Sequence, residues 1–205
     1  MTTANATGNE RWRMGGTQVG FTLLELMVAL VVAGVLFGYA IPSMQVFLQN
    51  ARLTSATNEL VADLNLARSE AIKRAGRAVV CKSNTATADA PTCAAAASWA
   101  DGRLVFIDAA VGTPPVFNGT YAAADNDVLV RRRAPLEGTA NTVSALQEPA
   151  NVAVNAIAFN RLGMAQIPAD QTTSFRICDD RGVARGKAIR ISPTGRPVLE
   201  TANAC

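Results

Sequence analysis

Twenty-one consecutive residues, FTLLELMVALVVAGVLFGYAI from Phe21 to Ile41, carry only two ionisable side chains, Glu25 and Tyr39. A helix needs about 20 apolar residues to cross ~30 Å of hydrocarbon. In that medium a lone backbone segment must satisfy its own N–H and C=O groups, so it must be helical. A cleaved secretory signal would have a shorter apolar run, positive residues before it and a small-x-small site after it. Here Pro42 and Ser43 lead into a helix-compatible pattern. The segment is therefore expected to stay on the mature chain.

Glu25 is the anomaly in this run. A charged acid within hydrocarbon costs roughly 2.5–3.5 kcal/mol even on the lenient insertion scale. An acid near the end of a segment can reach the interface, or a cation at the same depth can neutralise it. A cut after Gly20 would leave a free α-amine on Phe21, one helical turn from Glu25. That amine, on this chain or a neighbouring one, would serve as the cation.

No proline or glycine occurs from Met44 to Ala75. Leu53, Leu60, Leu64, Ala67 and Ala71 fall on one helical face. Arg52, Asn58, Glu59, Asp63, Glu70, Lys73 and Arg74 are expected mostly elsewhere, with Glu70 and Arg74 spaced to pair. Gly76 is the expected stop. The spacing predicts a single helix from Phe21 to Ala75, apolar all round in its first half and amphipathic in its second.

Beyond Gly76 the pattern changes to short β-like runs: RAVVCK, RLVFID, VLVRR, VAVNAIAF, SFRIC and KAIRIS. Gly, Pro, Asn and Asp separate them, and no helical stretch intervenes, which argues for antiparallel pairing. Thr85 to Ser98 and Val111 to Asp127 read as loops, the first exposed and tied down by Cys93. The expected fold is α+β, a long N-terminal helix packed on a C-terminal antiparallel β-sheet domain.

The chain has no histidine, which removes the commonest general base and transition-metal ligand. Asp101, Asp108, Asp125 and Asp127 do not have the spacing of a calcium loop. Ser69 and Lys73 are one residue too far apart for the S-x-x-K of penicillin-binding enzymes. No enzyme, metal or cofactor is expected. The four cysteines, Cys81, Cys93, Cys178 and Cys205, contain no C-x-x-C pair and permit three pairings. Sequence proximity favours Cys81–Cys93 and Cys178–Cys205, in an oxidising compartment.

Phe175 to Leu199 holds six basic side chains, Arg176, Arg181, Arg185, Lys187, Arg190 and Arg196, against Asp179 and Asp180. Such a surface can bind phosphates without reading base sequence. It can equally be a solvated edge with local ion pairs. A second cluster, Arg131 to Arg133, ends a strand-like run and would discourage edge-to-edge aggregation.

GFTLLELMVALVVAGVLFGYAIP resembles the processing signal and N-terminal helix of type IV pilins and type II secretion pseudopilins. The matching positions are Gly20, Phe21, Thr22, Leu23, Leu24, Glu25 and Pro42. RLTSATNELVADLNLARSEAIKRAGRAVVCKS, WADGRLVFID, IAFNRLGMA and IRISPTGRP resemble the FimT/GspH branch of that family. The resemblance implies a leader over 1–20 and a transmembrane and filament-core helix over 21–42, with a kink or melting near Pro42. The amphipathic half of the helix would span 43–76 and the globular domain 77–205. It implies that a prepilin peptidase cleaves between Gly20 and Phe21 and methylates the Phe21 amine. Glu25 would then pair with the Phe21 amine of a neighbouring subunit.

The implied function is that of a minor pilin of a type IV pilus, at or near the tip, or alternatively a GspH-type pseudopilin of type II secretion. Partners would be other major and minor pilins or pseudopilins, the peptidase and the inner membrane. The anchor would be single-pass, with a periplasmic domain that later enters an extracellular filament. Some FimT-like proteins bind double-stranded DNA for natural transformation through a C-terminal G-R-x-R. This chain reads Gly195, Arg196, Pro197, Val198, without the second arginine, so Arg181, Arg185, Lys187, Arg190 and Arg196 are the candidate DNA contacts.

Overall fold

A computed structural model describes residues 20–110, 116–136 and 142–205, with only the backbone at 39–42. The expected leader lies outside the described residues except for Gly20. Helix α1 (Leu23–Lys73) is the single long helix of the sequence reading, shorter by two residues at each end. The helical backbone continues through Pro42, where the resemblance implies a kink or melting, with no interruption. The chain divides into two compact units, up to Gln45 and from Val46 onward.

Among the described residues the second unit holds nine strands: β1 (Arg77–Lys82), β2 (Arg103–Asp108), β3 (Val128–Arg133), β4 (Thr142–Glu148), β5 (Val152–Ala153), β6 (Ala156–Phe159), β7 (Thr172–Cys178), β8 (Lys187–Ile191) and β9 (Pro197–Thr201). They form two sheets, both antiparallel as expected, ordered β3-β2-β1-β6 and β5-β4-β7-β8-β9. The run VAVNAIAF is split at Val154 and Asn155, so β5 and β6 belong to different sheets. Strands β4 and β9 are not among the runs picked out from sequence. Their apolar residues are few and interspersed with Thr, Ser, Gln and Glu, so only pairing with β7 and β8 defines them.

Both sheets cover the later part of α1. Leu53, Ala56, Leu60, Leu64, Ala67 and Ala71 meet Ala78, Val80, Val105 and Phe159 from one sheet, and Phe175, Ile177, Ile189 and Ile191 from the other. The small Ala56, Ala67 and Ala71 let strands approach the helix closely, while each buried leucine contributes roughly 1.5–3 kcal/mol. The buried Thr57 satisfies its hydroxyl on the Leu53 carbonyl at 2.7 Å. Trp99 packs edge-on against Phe175 with ring centres 4.8 Å apart. Its indole N–H donates to the Val154 carbonyl at 2.8 Å.

The opposite face of the four-stranded sheet is also covered. Val79, Cys81, Leu104 and Phe106 pack there with Ala86, Cys93 and Tyr121. The segment read as an exposed loop, Thr85 to Ser98, therefore lies partly buried: Ala86 and Ala97 are both inside. The Cys81–Cys93 disulfide holds it against β1. On the five-stranded sheet the Cys178–Cys205 disulfide joins β7 to the C-terminus, with Ala188 and Ala202 packed around it.

The helix ends at Lys73, and the left-handed residue that closes it is Ala75, one position before Gly76. Ala75 takes the left-handed conformation (φ 49°), its N–H donating to Ile72 O, while the Gly76 N–H donates to Ala71 O. This double closure satisfies the last carbonyls of the helix. An alanine occupies the position that normally favours glycine.

Candidate assembly helix and basic surfaces

The described part of the first unit, residues 20–45, presents an apolar surface with one acid, Glu25. Phe21, Leu23, Leu24, Leu36 and Phe37 are all exposed, from 64% to 81%. The helix is long and apolar enough to cross a bilayer. Thr22 caps it: the Glu25 N–H donates to Thr22 Oγ1 at 3.2 Å and the Leu26 N–H to Thr22 O at 3.2 Å. Thr22-Leu23-Leu24-Glu25 thus has the spacing of a capping box, a start signal that the sequence reading overlooked. Glu25 lies in the first turn, where the unpaired N–H groups make a negative side chain favourable. Its carboxylate is exposed and makes no ion pair among the described residues.

The six C-terminal basic residues are not brought into one patch. Arg181 and Arg185 lie in the β7–β8 loop and Lys187 begins β8, whereas Arg196 follows the turn at the other end of that strand. A five-residue strand separates the two groups by about 17 Å. Most of the charge is already engaged. Arg181 is held by Asp179 at 2.9 Å through Nε and by Asn50 at 2.8 Å. Arg176 pairs with Glu148 at 2.8 Å, and Arg190 with Glu200 on the neighbouring strand. Lys187 donates to Thr54 at 2.9 Å. Only Arg185 and Arg196 are exposed without a side-chain partner among the described residues.

The hydrogen bonds from the Arg181 side chain hold the Asp179 carboxyl below the usual carboxylate range, and Arg181 is raised in return. Gly195 has a structural role of its own. Its φ is +76° and a Cβ there would lie 2.1 Å from the Gly163 carbonyl oxygen. It closes the Ser192–Gly195 turn, with its N–H on Ser192 O at 2.9 Å.

The other arginine cluster is built around an acid that the sequence reading placed away from the core. Asp63 is wholly buried on α1. It accepts from Arg103 Nε at 3.2 Å, Arg133 Nε at 3.0 Å and Arg131 Nη1 at 3.4 Å. A bulge opposite Val105 and Phe106 shifts the β2–β3 register. The consecutive residues Val130 and Arg131 consequently both reach the helix side, one into the core and one onto Asp63. Arg103 is itself buried, and desolvation holds its guanidinium below the ordinary value despite Asp63.

The acids weighed as calcium ligands each serve a local contact. Asp108 binds Arg77 at 2.8 Å and the Gly119 N–H at 2.9 Å; burial raises its carboxyl above the ordinary value. Asp127 accepts from the Ala109 and Ala122 N–H groups, Asp125 from Asn118 and Asp101 from the Ser98 N–H. On α1, Ser69 bonds to the Leu66 carbonyl, and Lys73 pairs with Glu70 beside Arg74.

Two family profiles match the sequence. The prokaryotic N-terminal methylation motif covers residues 18–41, and the family described as type II transport protein GspH covers residues 56–195. No curated protein sequence is similar to the chain. Among solved structures, the type IV minor pilin FimU of Pseudomonas aeruginosa is similar in two crystal forms. One has a TM-score of 0.54 at 23% identity, over 78% of this chain and 98% of FimU. The other has 0.50 at 22%, over 74% and 98%. At that identity the likeness establishes the fold. A methylation motif opening an apolar helix, a GspH match over most of the remaining chain and this helix-and-sheet architecture agree: the chain belongs to the GspH family of type IV pilin-like proteins.

Proposed function

We propose that the chain is a minor pilin, added at or near the tip of a type IV pilus after processing at the inner membrane. Prepilin peptidase would cleave between Gly20 and Phe21 and methylate the Phe21 amine. Until assembly a single-pass helix would hold the globular unit in the periplasm. The observation that carries this reading is the exposed carboxylate of Glu25 on an apolar helix surface, without an ion pair among the described residues. In a filament of packed helices that carboxylate needs a cation, and the Phe21 amine of a neighbouring pilin supplies one at the same depth.

The test is Glu25→Ala in the full chain. Membrane fractions should retain the protein, because the apolar run is unchanged, while sheared filaments should lose it. Normal recovery from filaments would refute the pairing role.

The family's description favours a second setting, a pseudopilin of type II secretion. Deleting the gene discriminates the two: lost pili indicate the pilus, and a retained exoprotein with intact pili indicates secretion.

DNA uptake in natural transformation is a further role, now resting on Arg185 and Arg196. It predicts binding of duplex DNA that weakens steeply with salt and is lost in the Arg185→Gln/Arg196→Gln variant.

A further inference from the structure

The arginine-rich strand end retains charge that the buried cluster does not use. A cleft of about 340 Å³ lies between α1 and the end of β3, lined by Arg52, Ser55, Glu59, Arg132, Arg133 and Leu136, among others. Arg133 is committed to Asp63. Arg52 is exposed without a side-chain partner among the described residues, and Arg132 donates only to the neutral carbonyl of Ala88. Glu59, the one acid among the described residues that line the cleft, has its ionic contact with Arg103 Nη2 at 3.9 Å. Arg103 is 1% exposed, and that nitrogen has no hydrogen-bond partner. The floor beneath Glu59 is thus positive as well.

Strand β3 is the outermost strand of its sheet, so its outer N–H and C=O groups lack a strand partner among the described residues. An open edge invites another strand, and like charges facing each other across a strand pair are destabilising. Consecutive arginines on β3 therefore disfavour pairing with the same edge of a second copy and favour a segment bearing carboxylates.

We propose that the β3 edge and its adjoining cleft receive an extended, acidic segment of a neighbouring subunit. The segment's backbone would continue the sheet, and its carboxylates would pair with Arg52 and Arg132. Main-chain bonds supply affinity in this mode, and alternate side chains supply specificity. Only the source of the segment rests on the filament-subunit reading; the chemistry of the site does not.

The experiment uses the full chain in detergent micelles and a fluorescent hexapeptide of alternating glutamate and valine. Anisotropy should show binding about tenfold tighter than for the glutamine–valine counterpart, consistent with charge complementarity. Arg52→Gln/Arg132→Gln should abolish the preference without changing thermal unfolding, because both side chains are exposed. Arg185→Gln/Arg196→Gln should leave it intact. N-methylation of alternate peptide nitrogens should abolish binding if the segment adds as a strand. Equal affinity for the two peptides, indifference to Arg52→Gln/Arg132→Gln, or full binding of the N-methylated peptide would overturn the proposal. So would duplex DNA binding through these arginines with no peptide binding. None of these outcomes alters the Glu25→Ala filament test, so the two readings fail separately.

Discussion

Asp63 and Arg103 are 40 residues apart in sequence and meet in the interior, Nε to Oδ2 at 3.2 Å, each almost without exposed surface. Arg131 and Arg133 reach the same carboxylate from the edge strand. One acid on the helix therefore fixes two adjacent strands to it. Taking such charges out of water costs several kcal/mol per ion, which only close, hydrogen-bonded geometry offsets.

Removing the acid should be far more damaging than removing any one arginine at the rim. Asp63→Ala is expected to destabilise the protein by about 3–5 kcal/mol, because Arg103 would remain buried without a counter-charge. Urea unfolding of the full chain in micelles, followed by tryptophan fluorescence, measures it. Replacing both partners, Asp63→Leu with Arg103→Met, should recover part of the loss. A single variant within about 1 kcal/mol of the wild type would mean that the cluster is structurally neutral.

Gly195 opens the Gly195-Arg196-Pro197-Val198 stretch, which only partly resembles the G-R-x-R of some FimT-like proteins, and its surroundings give it a packing role. With φ at +76° and the Gly163 carbonyl in the place of a Cβ, Gly195→Ala must displace one hairpin turn from the other. Strain and overpacking together should cost at least about 2 kcal/mol. Loss of stability without any change in nucleic-acid affinity per folded molecule would identify the glycine as structural. An alanine variant of unchanged melting temperature would contradict that.

Ala75 offers the reverse case. It holds a left-handed φ of 49° at the helix end, where glycine avoids the Cβ penalty. Ala75→Gly should stabilise by roughly 0.5–1 kcal/mol, or about 1–4 °C in melting temperature for a chain of this size. A decrease would show that the Ala75 methyl contributes packing that outweighs the backbone strain.

Two carboxylates should respond oppositely to acid. Asp179 has a lowered folded pKa because Arg181 hydrogen-bonds its charged form. Its contribution is present above the ordinary carboxylate value of about 3.9 and is lost as pH falls through the lowered one. Asp108 has a raised folded pKa through burial, so its ionisation penalty is present above that raised value and is relieved as pH falls. The deficit of Asp179→Asn should therefore shrink between about pH 7 and about pH 2.5, whereas Asp108→Asn should compare more favourably with wild type at the higher pH. Deficits independent of pH in both variants would count against these assignments.

Much of this architecture is local information. The apolar run from Phe21, the leucine and alanine face from Leu53 to Ala71 and the strands β1, β2 and β8 follow from periodicity that neighbouring residues already carry. The identity of the other partners is not local. Asp63 reads as a surface acid by helical spacing, because the guanidinium groups that make its burial tolerable come from residues 40 to 70 positions later. The C-terminal basic residues read as one region, yet β8 separates Arg181, Arg185 and Lys187 from Arg196, and nearby acids pair with Arg176, Arg181 and Arg190. By itself the sequence determined the membrane-length helix, the acid at its start and the antiparallel class. Only the tertiary structure decided which charges are spent and which remain free, because an ion pair is set by distance in space and by the water excluded around it.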